Sequence, residues 1–256
     1  MANNLWTKEE LILAFNLYLK LPFGKMHKGN ADVIHLAGLI NRTPDAVAMR
    51  LTNFASIDPY HQQRGVGGLP GGKKQCQPIW DEFINNKETL VFESERILAE
   101  KEHVTIEEKY SEILKDISDL KGETKIREVK TRVNQNVFRE MILSAYQNRC
   151  LITGINLKEL LVASHIIPWS KNEMERLNPE NGLCLSNLYD KAFDKGFIGI
   201  TIDNKVVLSQ RIKKKVNENF YGKFFRNLDG FEVQFNGKYK PKKEFLEYHL
   251  DEIFDK

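Results

Sequence analysis

The segment from Leu160 to Gly196 constrains this chain more than any other, because its character changes several times over a short distance. Leu160-Leu161-Val162-Ala163 is a brief apolar run that reads as a buried strand. It delivers Ser164-His165 and is terminated by Pro168, which cannot donate to a ladder. A polar loop fills 170–180, and Asn181-Gly182-Leu183-Cys184-Leu185 follows. A helix-like segment from Ser186 to Lys195 then carries Asp190 and Asp194, one helical turn apart. Each residue taken singly has an ordinary explanation. A histidine after a buried strand is more often structural, Asn181-Gly182 alone reads as a turn, and the two aspartates alone read as solvated helix charges. Their joint order and spacing point instead to a chemical site.

The N-terminal region reads as helical. Thr7 and Glu10 form a capping-box pattern, and Trp6 and Leu11 sit where a hydrophobic staple would place them. Leu11, Ala14, Phe15 and Tyr18 recur at helical spacing, and Pro22-Phe23-Gly24 breaks the pattern. A second helix contains Val33, Leu36, Ala37 and Ile40, and Thr43-Pro44 starts a third that runs through Phe54. Three short helices, the last two joined by a tight polar turn, describe a helix-turn-helix unit. Trp6-Thr7-x-Glu9-Glu10-Leu11, with Asn41-Arg42-Thr43-Pro44-Asp45-Ala46-Val47-x-x-Arg50, is similar to Myb/SANT-like DNA-binding domains. That resemblance implies that Arg42, Arg50 and Asn53 face DNA. The alternative is a helical docking domain.

Residues 61–78 read as an irregular glycine-rich loop around Lys73-Lys74, a linker or a contact to the DNA backbone. The order GxxxxGK[ST] is missing and no apolar strand precedes it, so no nucleotide cofactor is expected. Between 101 and 128 charges of both signs alternate, and Ile106, Tyr110, Ile113, Ile117 and Leu120 form a short heptad seam. A connecting helix packed on a neighbour, with a homodimer through 104–120, is the expectation. Lys121-Gly122-Glu123 should end that helix.

From Arg132 a helix with Val137, Met141, Ala145 and Tyr146 on one side leads to Arg149-Cys150-Leu151-Ile152-Thr153-Gly154 and then into the segment described first. This part of the chain closely resembles the HNH endonuclease superfamily, with its ββα-metal fold. The nearest branch is the restriction-type one. The shared runs are Ala163-Ser164-His165-Ile166-Ile167-Pro168-Trp169, Asn181-Gly182-Leu183-Cys184-Leu185 and Asp190-Lys191-Ala192-Phe193-Asp194-Lys195-Gly196. The resemblance extends from about 127 to a family-like ending at Pro241-x-x-Glu244-Phe245-Leu246-x-Tyr248-His249, in which His249 reads as structural.

The resemblance implies roles. His165 would be the general base, and Asn181 the asparagine that holds the loop and the imidazole. Asp190, Asp194 and Ser164 would surround one divalent cation, Mg²⁺ or Mn²⁺. A neutral imidazole suits proton removal from water near pH 7, and a hard cation held by oxygen suits charge on phosphate. Two departures from the family stand out. Ser164 occupies a place that is commonly a carboxylate. The zinc-knuckle positions read Cys150-x-x-Thr153 and Cys184-x-x-Asn187, and two thiols are too few for a structural zinc.

Beyond the site, 197–208 reads as a hairpin turning at Asp203-Asn204. Arg211, Lys213, Lys214 and Lys215 are either a solvated face or phosphate contacts. The chain's net charge of +3 gathers in 129–256, where basic residues outnumber acidic ones by five. Three scattered cysteines fit a reducing cytoplasm, and no apolar run is long enough for a membrane span.

The expected protein is therefore α+β, with a three-helix DNA-binding or targeting domain at 1–100, a charged helical connector at 101–128 and a ββα-metal nuclease at 129–256. The function expected from the resemblance is hydrolysis of double-stranded DNA, in restriction or anti-phage defence. The rivals are a DNA-binding regulator with an inactive HNH fold and a partner-gated effector or homing-type nuclease.

Overall fold

The computed structural model of the protein describes residues 5–117, 119–235 and 239–256. Met1-Ala2-Asn3-Asn4 lies outside these residues. The chain divides into two compact units, 1–137 and 138–256. The division falls inside the helix Gly122–Ala145 rather than near 100 and 128.

In the first unit, α1 (Lys8–Lys20) starts with the expected reciprocal cap. Glu10 N donates to Thr7 Oγ1 at 3.2 Å, and Thr7 N donates to Glu10 Oε2 at 2.7 Å. Helices α2 (Ala31–Leu39) and α3 (Pro44–Ala55) follow, with Asn41 in the left-handed region at φ 52° between them. The core does not close on these three. After the short α4 (Pro59–Gln62) come α5 (Pro70–Phe83) and α6 (Lys87–Lys101), which bring in Ile79, Trp80, Phe83, Leu90 and Ile97. Phe15 lies between Phe54, at 4.8 Å between ring centroids, and Trp80, at 5.2 Å.

Two expectations change here. The glycine-rich stretch is not a loop throughout, since Lys73 and Lys74 sit in the first turns of α5. One of its glycines serves helix packing: a Cβ on Gly72 would lie 2.1 Å from the Asn53 amide, so a bare backbone lets α5 approach α3. The second change is that Arg42, Arg50 and Asn53 do not face outward. Arg42 donates to both Glu10 carboxylate oxygens at 2.8 Å, and both guanidiniums stand 4.6 Å from the Trp6 ring. Arg50 is buried and donates to Gln75 Oε1 at 2.9 Å, while buried Asn53 accepts from Leu69 N at 2.9 Å. Their polar groups are engaged in holding α1, α3 and α5 together rather than projecting into solvent.

The connector also differs from a single helix. It breaks into α7 (Ile106–Lys109) and α8 (Ser111–Leu114), and Gly122, at φ 59°, opens the long α9 (Gly122–Ala145) instead of ending a helix. The seam side chains Ile106, Tyr110, Ile113, Ile117 and Leu120 pack with Phe92, Val129 and Val133 of the same unit. The seam packs within this unit, with Ile117 buried and the other four side chains half-buried.

The second unit begins with Phe138 on α9. Strands β1 (Leu161–His165) and β2 (Gly182–Ser186) pair antiparallel, with His165 opposite Gly182. Helix α10 (Asn187–Asp194) packs on both strands, giving the expected ββα order. The hairpin expected at 197–208 is present as β3 (Ile198–Ile200) and β4 (Val206–Leu208). Helices α11 (Gln210–Lys215), α12 (Glu218–Phe224) and α13 (Lys243–Glu252) complete the unit. Its core joins Ile166, Leu183, Leu185, Phe193, Val206 and Phe245. The class is α+β. Among the described residues no helix is long and apolar enough to cross a membrane.

Candidate active site

His165 ends β1 and, because side chains alternate along a strand, emerges on the face opposite to buried Ser164. Its imidazole lies flat on the Phe138 ring, 3.8 Å between centroids at 14°, with the Trp169 indole edge-on at 5.4 Å. Gly182 makes that stack possible. A Cβ there would come 2.7 Å from Phe138 Cζ and 2.4 Å from Ile142 Cδ1. Gly182 is therefore an extended strand residue needed for close approach.

The Arg176 carbonyl lies 2.9 Å from His165 Nε2. A carbonyl can only accept, so Nε2 carries the proton and Nδ1 carries the lone pair. Nδ1 has no partner among the described residues and is not among the sealed, unpartnered polar atoms. Burial pulls the imidazole down to about 4, aided by the Arg176 charge and opposed by the carbonyl bond. At neutral pH it is an uncharged base with an open nitrogen.

His249 is an instructive control. It stacks on Phe193 at 3.6 Å and 12°, and its Nε2 donates to the Phe193 carbonyl at 3.0 Å. Here Nδ1 is sealed from solvent without a partner, so the same local arrangement is structural. Burial brings its pKa down to about 4 as well, against roughly 6.5 in an unfolded chain. Between these values the unfolded chain binds a proton that the fold refuses. Stability is therefore complete above pH 6.5 and falls as pH drops towards 4. The loss from His249 alone should reach roughly 3 kcal/mol, read as a fall in the urea midpoint between pH 7.5 and pH 4. A His249→Phe variant with the same slope would contradict this.

Asn181 precedes β2 and is 1% exposed. Its Oδ1 accepts from Ile167 N at 2.8 Å, and its Nδ2 donates to the carbonyls of Ile167 at 3.1 Å and Glu175 at 3.2 Å. The side chain is fully occupied by backbone on both limbs of the loop that carries Arg176. Asn181 is thus a positioning residue and does not itself reach a reacting atom.

Asp190 and Asp194 share a face of α10. Burial raises the pKa of each carboxyl, and the Asp190 charge raises that of Asp194 further. Ser164, beside Asp190, has its Oγ sealed from solvent with no hydrogen-bond partner among the described residues. That hydroxyl opposes the rise at Asp190, although no hydrogen bond of ordinary geometry closes onto it. Among the described residues no group of three or more His, Cys, Asp or Glu side chains converges to hold a metal ion.

With this geometry in view, residues 150–201 match the family model HNH_2, an HNH endonuclease. This segment is an HNH module. The match begins at Cys150 and takes in β1, β2, α10 and β3. No curated protein matches the chain. Within the HNH module, Cys150 Sγ accepts from Thr153 N at 3.4 Å and from Ser186 N at 3.2 Å, and all three cysteines are free and buried. Burial pushes the Cys184 thiol up to about 12.

The remaining basic candidates differ in availability. Lys213 pairs with Asp229 at 2.6 Å, and Arg211 lies 5.5 Å from the Phe197 ring. Lys214 and Lys215 project into solvent from the last turn of α11. Residues that sequence reasoning missed are Phe138, Trp169 and Arg176. Phe138 and Arg176 act on His165 from a distance along the chain that periodicity does not register, whereas Trp169 lies within the same sequence motif as His165 and only its contact with the ring was missed.

Proposed function

We propose that this HNH nuclease is a metal-dependent endonuclease that hydrolyses phosphodiester bonds of double-stranded DNA, in a restriction-type or defence role. The observation that carries the reading is the open Nδ1 of His165, whose counterpart in His249 is sealed. Supporting it, the imidazole stays neutral at pH 7 and the HNH match covers the whole ββα segment.

In this reading Nδ1 of His165 takes the proton of a water aligned with the scissile phosphorus. The Arg176 carbonyl, bonded to Nε2–H, stabilises the imidazolium that forms. Asp190 and Asp194 would hold the divalent ion. The fit rests on two carboxylates on one face whose pKa values are raised by burial and, at Asp194, by the other's charge. Mg²⁺ is commonly bound by one or two carboxylates with substrate phosphate and water completing the shell, so two are sufficient. When bound, the ion would offset charge on the phosphate and the departing 3′ oxygen. Exposed Lys214 and Lys215 suit phosphate contacts. The setting proposed is the cytoplasm, where free thiols remain reduced.

The test is incubation of the purified chain with supercoiled plasmid and Mg²⁺ or Mn²⁺. Cleavage that EDTA abolishes and Asp190→Ala strongly reduces is expected. Plasmid that stays intact with either metal, although the protein binds it, would favour a DNA-binding regulator instead.

A further inference from the structure

We infer that the Arg176 side chain is a positioning group for the base, locking the loop whose carbonyl orients His165. The inference rests on the nuclease reading above. The acceptor for Nε2–H belongs to the connection between β1 and β2, not to a strand or helix. A loop carbonyl can define one tautomer and one ring angle only if the loop keeps one conformation.

Arg176 supplies that constraint from the same residue. Its Nε donates to the Trp169 carbonyl at 2.8 Å, and its guanidinium lies 5.2 Å from the Trp169 ring. Trp169 in turn packs edge-on against the imidazole at 5.4 Å. The residue whose backbone carbonyl accepts the hydrogen bond from His165 Nε2–H thus clamps, with its side chain, the indole bordering the same ring. Asn181 anchors the neighbouring Glu175 carbonyl, so the two side chains fix adjacent peptide units. The pairing of Arg176 with Glu173 at 3.4 Å adds little, since Glu173 is 80% exposed. A planar guanidinium is suited to this task because it stacks and donates in one plane. Its fixed position, rather than its charge, is what the loop uses.

The experiment compares wild type, Arg176→Met, Arg176→Lys and Trp169→Leu in single-turnover plasmid cleavage, with duplex binding measured separately. Histidine-selective ¹⁵N NMR reads the His165 tautomer. Expected for Arg176→Met is a rate lower by on the order of tenfold to a hundredfold, the effect of misplacing a reactive group by about 1 Å. Duplex affinity should stay nearly constant, and the Nε2–H tautomer signature should give way to an averaged one. Arg176→Lys should recover part of the rate, and Trp169→Leu should resemble Arg176→Met. A wild-type rate in Arg176→Met, or a loss confined to affinity, would overturn the inference. So would failure of both Arg176→Met and Trp169→Leu to fold, which would make the clamp a prop for the whole unit. If wild type itself cleaves nothing, the nuclease reading fails, and the tautomer signal still decides whether Arg176 sets the ring.

Discussion

Replacing His165 with alanine should lower the cleavage rate by about 10²–10⁴-fold, the usual contribution of a general base, while leaving duplex affinity nearly unchanged. The expectation follows from the division of labour at the ring. Nε2 is held by the Arg176 carbonyl, one face is covered by Phe138, and only Nδ1 is open. The ring has no charge at neutral pH with which to hold phosphate, so binding does not depend on it. Single-turnover cleavage and a duplex titration of the same variant separate the two quantities. A variant that cut at the wild-type rate would remove His165 from the chemistry.

Asn181→Leu should have the second-largest effect, and it should appear in stability as well as in rate. The side chain makes three hydrogen bonds to backbone and is 1% exposed, so leucine strands the Ile167 N–H and leaves two carbonyls short of a donor. An unsatisfied buried group costs roughly 1–3 kcal/mol, and the loss here should be about 3–5 kcal/mol because the loop can partly relax. Cleavage should fall at least tenfold even well below the melting temperature, since Arg176 then loses its fixed neighbour at Glu175. Thermal unfolding alongside the rate gives the decisive comparison. Cleavage lost with an unchanged melting temperature would mean that Asn181 touches the substrate instead.

The parts of this molecule legible in sequence are those written locally. The Thr7–Glu10 cap, the β1 run ending at His165, the α10 aspartates and the turn at Asp203-Asn204 are each specified by residues a few positions apart. Helix α5 was hidden because glycine disfavours helix, and only contact with Asn53 of α3 explains why Gly72 is there. Arg42 and Arg50 were expected to face DNA from the Myb/SANT-like resemblance, and a shared motif does not say whether a guanidinium folds back over Trp6. The heptad seam was real as a pattern, but it is satisfied by Phe92, Val129 and Val133 within the same unit. Around the candidate site, His165 was singled out by its motif. Its supports were not, because Phe138, Gly182 and Arg176 meet it across long stretches of chain.

Gly182 has a consequence for how tolerance to change is distributed over this site. It touches no reacting atom and offers no functional group, yet any side chain there would collide with the ring beneath the base. A mutational scan scored by survival of activity would therefore place a residue with no side chain among the least replaceable positions, beside the histidine it faces across the sheet. Permissiveness here follows from space rather than from chemistry, and the emptiest position in the hairpin is also one of its most restricted.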